Sequence, residues 1–171
     1  MDFRAGLITN PAGLVDNGAV RVSAKAEYAV RAAMELAAAP DSGPVKKSAI
    51  VAAQKIPPKF LENILSELRN VGLVESQRGS DGGYWLAKPA AQISVADVMR
   101  AVEGPLASVR SQRPEALEYE GIAEPLQNVW IALRASIRDV LEHVSLQDLV
   151  DGKLPKEVLD YAKPPEAWVS Q

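Results

Sequence analysis

The sequence predicts a mostly α-helical protein in which three helices lead into a small β-hairpin and a long helix follows. Three observations predict it. Apolar residues recur at helical spacing in separate stretches before residue 73, a glycine-rich tip divides two short β-prone runs over 73–87, and an apolar seam runs from Leu126 to Val144. The 171 residues suffice to bury a core as one compact domain with an added element. A hydrophobic fraction of 47% with 5% aromatics suits a helical chain rich in alanine and leucine.

Ser23 is placed to cap the first helix, with Glu27 in its first turns. Ala24, Tyr28, Ala32 and Leu36, joined by Val30, Met34 and Ala37, keep helical spacing until Pro40. Asp41-Ser42-Gly43-Pro44 reads as a turn, and Ser48 as the cap of a short second helix, Ala49 to Ala53, that stops before Pro57-Pro58. The proline pair suits the first turn of a third helix, where a backbone N–H has no helical partner to lose. Phe60, Leu61, Ile64, Leu65 and Leu68 give this helix an apolar face as far as Gly72, and Lys59, Glu62, Asn63 and Ser66 form the exposed one. Leu73–Arg78 and Tyr84–Ala87 read as strands around Gly79-Ser80-Asp81-Gly82-Gly83. Three helices followed by a hairpin is the order of a winged helix-turn-helix, whose last helix enters the DNA major groove while the hairpin lies along the backbone or reaches a neighbouring groove.

Ser94 caps a fourth helix, Val95 to Val102, which Gly104-Pro105 ends. Residues 105–124 mix Pro, Glu, Gln and Arg without a period and read as a connector. Leu126, Trp130, Leu133, Ile137, Val140 and Val144 then follow alternating steps of four and three, the seam of a helix that packs on another helix and ends between Leu149 and Gly152. The expected organisation is a tail over 1–20, a winged helix-turn-helix over 21–90, a helix and connector over 91–124, a long seam-bearing helix over 125–152 and a tail over 153–171. Both tails are expected to be loose, the first broken by two glycine turns and the second rich in proline and acidic residues.

The chain has no cysteine, which removes disulfides, thiolate metal sites, thiol nucleophiles and ordinary cluster ligation together. No apolar run is long enough to span a bilayer and the start lacks a signal-peptide pattern, so a cytoplasmic protein without membrane contact is expected. No Ser-His-Asp set, Walker loop, paired-carboxylate pocket or dinucleotide fingerprint is visible, so the sequence assigns no enzyme activity, catalytic residue, metal or cofactor. His143, the sole histidine, reads as structural. The net charge of −3 conceals an asymmetry: residues 21–89 hold ten Lys and Arg against seven Asp and Glu, and residues 90–171 hold eight against thirteen. Only the first block suits a polyanion, and an excess that small is weak evidence without the pattern.

Ser23-Ala24-Lys25-Ala26-Glu27-Tyr28-Ala29-Val30-Arg31-Ala32, Pro57-Pro58-Lys59-Phe60-Leu61-Glu62-Asn63-Ile64-Leu65, and Gly72-Leu73-Val74-Glu75-Ser76-Gln77-Arg78-Gly79 leading into Gly82-Gly83-Tyr84-Trp85-Leu86 together resemble the Rrf2 (Rrf-two) family of winged-helix transcription regulators, the IscR, NsrR and CymR group. The resemblance runs from about Val20 to Leu149. It implies a homodimer on double-stranded DNA, with the seam Leu126, Trp130, Leu133, Ile137, Val140 and Val144 facing a second copy. It places Pro57, Lys59, Glu62 and Asn63 at groove-facing positions of the recognition helix, Arg78 and Gly79 where the wing reaches DNA, and Ser23 and Lys25 where the family anchors a phosphate. The chemistry of these residues fits. Lys59 and Arg78 can neutralise phosphates, Arg78 can instead enter a minor groove or fork onto guanine, Glu62 can accept from cytosine, and Asn63 can pair with adenine.

Blander roles stand beside these. Gly79, Gly82 and Gly83 are first of all suppliers of positive backbone angles in a tight turn, with close approach to a phosphate second. Tyr28, Phe60 and Leu61 read as core, and Arg31 as either a surface ion pair or a phosphate contact. In the connector, cluster-binding relatives carry three cysteines where this chain has Val109-Arg110-Ser111-Gln112-Arg113 onward to Gly121. The resemblance is therefore to a cysteine-free subclass, and it implies a small-molecule or protein effector contacting residues 108–124. Residues 1–19 precede the resemblance and are expected to be an extended or misassigned N-terminus. The function read from the sequence is a repressor on a two-fold symmetric operator. Its rival is a protein-interaction module that docks a partner enzyme with the same winged helix.

Overall fold

The computed structural model describes residues 21–39 and 43–169. The expected N-terminal tail and the first half of the Asp41–Pro44 turn lie outside the described residues. Helix α1 (Ala24–Ala37) starts at Ser23, whose hydroxyl accepts from the Ala26 N–H at 3.0 Å. Its inner face is Ala26, Ala29, Ala32, Ala33, Leu36 and Ala37, all buried, and side chains this small let α1 sit at the centre with four other helices packed on it.

Helix α2 (Lys47–Gln54) begins two residues earlier than expected, because Lys46 takes the capping position without a side-chain bond and Ser48 falls inside the first turn. Helix α3 (Pro58–Asn70) follows with Pro57 at its cap and Leu61, Ile64, Leu65 and Leu68 fully buried. Phe60 is not core: it is 51% exposed. One residue from Leu61, it lies about a quarter-turn from the centre of the apolar stripe, and its ring meets Tyr28 edge-on at 6.2 Å between centroids.

Strands β1 (Val74–Gln77) and β2 (Gly83–Leu86) pair antiparallel with Val74 opposite Leu86 and Gln77 opposite Gly83. Val45 also bridges Tyr84 through two hydrogen bonds of 2.9 Å, which ties the hairpin to the chain entering α2. The glycines have different reasons from those expected. Gly79 does take a positive φ, +108°, but Gly82 and Gly83 are there for space. A Cβ on Gly82 would lie 2.1 Å from the Gln77 carbonyl oxygen, and one on Gly83 would lie 2.6 Å from that of Val45.

Helix α4 (Val95–Glu103) opens with a capping box between Ser94 and Asp97. The expected single helix over 125–152 is two: α5 (Leu126–Leu141) and α6 (Leu146–Asp151). The break follows from a second capping box, Ser145 with Asp148, which starts a new helix beside the first. The two starts are joined by hydrogen bonds of 2.9 Å from Val95 N–H to the Val144 carbonyl and from Leu146 N–H to the Ile93 carbonyl. Val144 therefore leaves the seam, off the end of α5 and only 5% exposed within its own chain.

The connector is shaped rather than featureless, with Pro114 and Leu117 buried and Ala107, Arg110 and Ser111 at positive φ. The tail after 152 carries helix α7 (Lys156–Ala162), held by Lys156 on Asp160 at 2.8 Å and by the Tyr161 hydroxyl donating to Asp139 at 2.9 Å. Local ion pairs and one tertiary bond order a segment whose composition alone predicts none. Among the described residues no helix is long and apolar enough to cross a membrane.

Candidate nucleic-acid interface

The turn between α2 and α3 fixes how α3 is presented. Lys55 closes α2 in the left-handed conformation at φ 52°, Ile56 is buried, and Pro57 enters α3. Arg31 braces the turn from α1: its Nε donates to Gln54 Oε1 at 2.9 Å, its second nitrogen donates to the Gln54 carbonyl, and its third pairs with Glu27 at 3.0 Å. Its guanidinium also lies 5.7 Å from the Tyr28 ring centre. Of the two roles open in the sequence, the structure gives Arg31 an ion pair inside the fold.

Pro57, Lys59, Glu62 and Asn63 are all exposed at the start of α3, and Arg78 and Gly79 are exposed at the wing tip. Lys59 and Asn63, one turn apart, share a face. Among the described residues Lys59, Asn63 and Arg78 have no ion-pair or hydrogen-bond partner, while Glu62 lies 3.6 Å from Lys47. The start of α2 joins the two halves of this surface, since Lys47 reaches Glu62 on α3 and the Lys46 ammonium donates to the Ser80 carbonyl at the wing tip. Lys46 and Lys47 are the residues that sequence reasoning missed. Two successive lysines at the start of the second helix were the available signal.

Ser23 and Lys25 are placed differently from the expectation. The Ser23 hydroxyl donates to Glu103 at the end of α4 while accepting from α1. The Lys25 ammonium lies 2.8 Å from the Glu67 carboxylate of α3 and donates to the Val102 carbonyl at 2.8 Å. In this structure both side chains belong to an internal network joining α1, α3 and α4. A free phosphate anchor would need them unpaired.

The other expected surface is α5. This 16-residue helix has no buried residue at all. Trp130, Leu133, Ile137 and Val140 are half-buried, Leu126 is exposed, and Trp130 donates its indole N–H to the Tyr119 hydroxyl at 3.0 Å. Exposed Ile122, Val129 and Ile131 widen the apolar face beyond the seam. Few monomeric helices leave so continuous an apolar stripe open.

The sequence profile of the Rrf2 family, described as an iron-dependent transcriptional regulator, matches residues 22–152. This chain belongs to the Rrf2 family. It is 52% identical over 143 residues to a Mycobacterium tuberculosis (strain H37Rv) protein that carries the name of an HTH-type transcriptional regulator, covering 84% of this chain and 89% of that one. Among solved structures, CymR, the global cysteine regulator of Bacillus subtilis, superposes with a TM-score of 0.66 at 34% identity, covering 78% of this chain and 98% of its own. IscR of T. potens gives 0.62 at 32% identity, covering 88% and 93%. This Rrf2-family protein is thus a winged helix-turn-helix transcriptional regulator whose wing is the β1–β2 hairpin.

The iron in the family description finds no donor set among the described residues. The chain has no cysteine, and its one histidine, His143, is exposed with Nδ1 2.6 Å from the Asp139 carbonyl oxygen. Among the described residues no three His, Cys, Asp or Glu side chains gather as metal ligands would. The residues present do not fit a cysteine-ligated cluster.

Proposed function

We propose that this Rrf2-family protein is a homodimeric repressor that reads a two-fold symmetric DNA operator. The observation that carries the reading is the surface formed by Lys59, Asn63 and Arg78, unpaired among the described residues, with Lys46 and Lys47 bridging recognition helix and wing. Side chains without internal partners lose nothing inside the protein when they bind. Asn63 suits an adenine edge, Glu62 a cytosine amine once Lys47 turns to a phosphate, and Lys59 and Arg78 suit phosphates. The open apolar face of α5 supports pairing of two copies, which sets two recognition helices on symmetric half-sites.

Capture of genomic DNA by the purified protein, then a salt titration on the best fragment and on a scrambled control, tests this. A symmetric site should be enriched, and log K should fall with log salt by about 0.9 for each phosphate neutralised. The rival, a winged helix that docks a protein, has one observation in its favour, the exposed Phe60 beside Lys59. Absence of enrichment together with salt-insensitive capture of a protein partner would decide for the rival.

A further inference from the structure

A cleft of about 360 Å³ lies where α4, the connector and α5 meet. Four arginines line it, Arg100 from α4, Arg113 from the connector, and Arg134 and Arg138 from α5, against one acidic side chain, Glu115. The internal pairing of these charges is incomplete. Arg134 pairs with Glu115, and Arg138 and Arg100 share a single carboxylate, Glu142, with Asp97 at 3.7 Å from Arg100. Arg113 has no ion pair among the described residues. The rest of the wall is apolar, from Pro105, Leu106, Ala107 and the buried Pro114. Ala107 holds φ 53°, a conformation an alanine takes at a cost of about 1 kcal/mol or more when the shape of the wall requires it.

We propose that this cleft binds a small molecule carrying two carboxylate or phosphate groups, and that occupancy is relayed through α4 to the DNA-contacting helix. Guanidinium forks match both kinds of oxyanion in bidentate fashion, and the volume lies at the lower end of the range for small-molecule sites, about 300 to 1,000 Å³. The relay is visible in the bonding. Arg100 lies one turn from the end of α4, where the Val102 carbonyl and the Glu103 carboxylate accept from Lys25 and Ser23, and Lys25 is paired with Glu67 on α3. A ligand that draws Arg100 from Glu142 pulls on the strut that positions α3. The relay, though not the binding, rests on the DNA-reading function above.

The test is calorimetric titration of the full chain with citrate and, separately, pyrophosphate, with sodium chloride at matched ionic strength as control, followed by operator binding with and without the probe. At least one probe should bind saturably, one per protomer, and which one does identifies the oxyanion. Arg113→Ala should weaken binding about tenfold with an unchanged melting temperature, and Glu115→Gln should tighten it severalfold by releasing Arg134. A merely structural pair would not give opposite signs. No saturable binding of either probe up to about 10 mM, or binding indifferent to both variants, would overturn the site. Probe binding with operator affinity unchanged would overturn the relay. Probe binding by a protein that binds no DNA in any condition would instead overturn the DNA-reading function and leave the site standing.

Discussion

Arg78→Ala isolates what the wing contributes to DNA binding. The side chain is exposed and has no partner among the described residues, so its removal should change folding stability by less than about 0.5 kcal/mol. A dimer presents two copies. If each neutralises one phosphate, the slope of log K against log salt shrinks by about 1.8, twice the single-phosphate value of about 0.9. The expected loss of operator affinity is tenfold or more, which corresponds to about 1.4 kcal/mol for the dimer, or about 0.7 kcal/mol for each copy. Fluorescence anisotropy on operator and scrambled duplexes over about 50 to 200 mM salt reads both quantities, with sedimentation confirming the dimer. Equal losses on both duplexes with the smaller slope would mark a phosphate contact, whereas a loss confined to the operator would mark a guanine fork. An unchanged affinity and slope on both duplexes would refute the placement of Arg78 on DNA.

Further expectations follow from other parts of the molecule. Gly83→Ala puts a methyl 2.6 Å from the Val45 carbonyl and should sever the two Val45–Tyr84 hydrogen bonds. That is a loss of about 2 kcal/mol and a fall in melting temperature of about 4 to 8 °C, and an unaltered melt would refute the crowding. Ile137→Glu should yield a folded monomer, because α5 gives no buried side chain to its own chain, whereas Val144→Ala should cost about 2 kcal/mol and leave the dimer intact. Sedimentation and circular dichroism would expose the reverse pattern. The Asp148 carboxyl is held below the usual carboxylate range, first by the Ser145 hydroxyl and then by the Ser145 N–H. A lowered carboxyl stabilises the fold above its unfolded value and loses that contribution as pH falls through its folded value. Asp148→Asn should therefore flatten part of the acid limb of stability, in thermal melts from about pH 6 to pH 3, and an unchanged limb would remove this cap from the account.

Where local signals decided the structure, the sequence was readable. Ser23 and Ser94 mark helix starts by their caps, Leu61, Ile64, Leu65 and Leu68 define one helix face by period alone, and Gly79 to Gly83 announce a hairpin. The order of three helices followed by a hairpin could be read for the same reason. The errors have physical sources. Val144 continues the seam spacing by coincidence, and the Ser145–Asp148 capping box, itself local and legible, outweighs it. The fates of Ser23 and Lys25 depend on Glu103 and Glu67, 80 and 42 residues away, and no nearby pattern foretells such pairings. Phe60 shows the limit of a stripe, whose margin is indistinguishable from its centre when only residue type is read. The cleft arginines come from three elements and become one group only when α4, the connector and α5 fold together.

The twin helix starts at Ser94 and Ser145 have a consequence for how such a chain can change over time. Ile93 and Leu146, on the two stretches of chain that meet there, are buried in one core together with Val98, Met99 and Val102 of α4, so the connector and α5 form an excursion that leaves after α4 and returns at that clasp. Closing a loop costs entropy that grows only with the logarithm of its length, about 0.6 kcal/mol for each doubling. Residues can be gained, lost or exchanged along the outer part of that excursion with little penalty to the head that grips DNA. One reading domain can thereby be fitted with sensing arms of different length and chemistry while its own architecture stays the same.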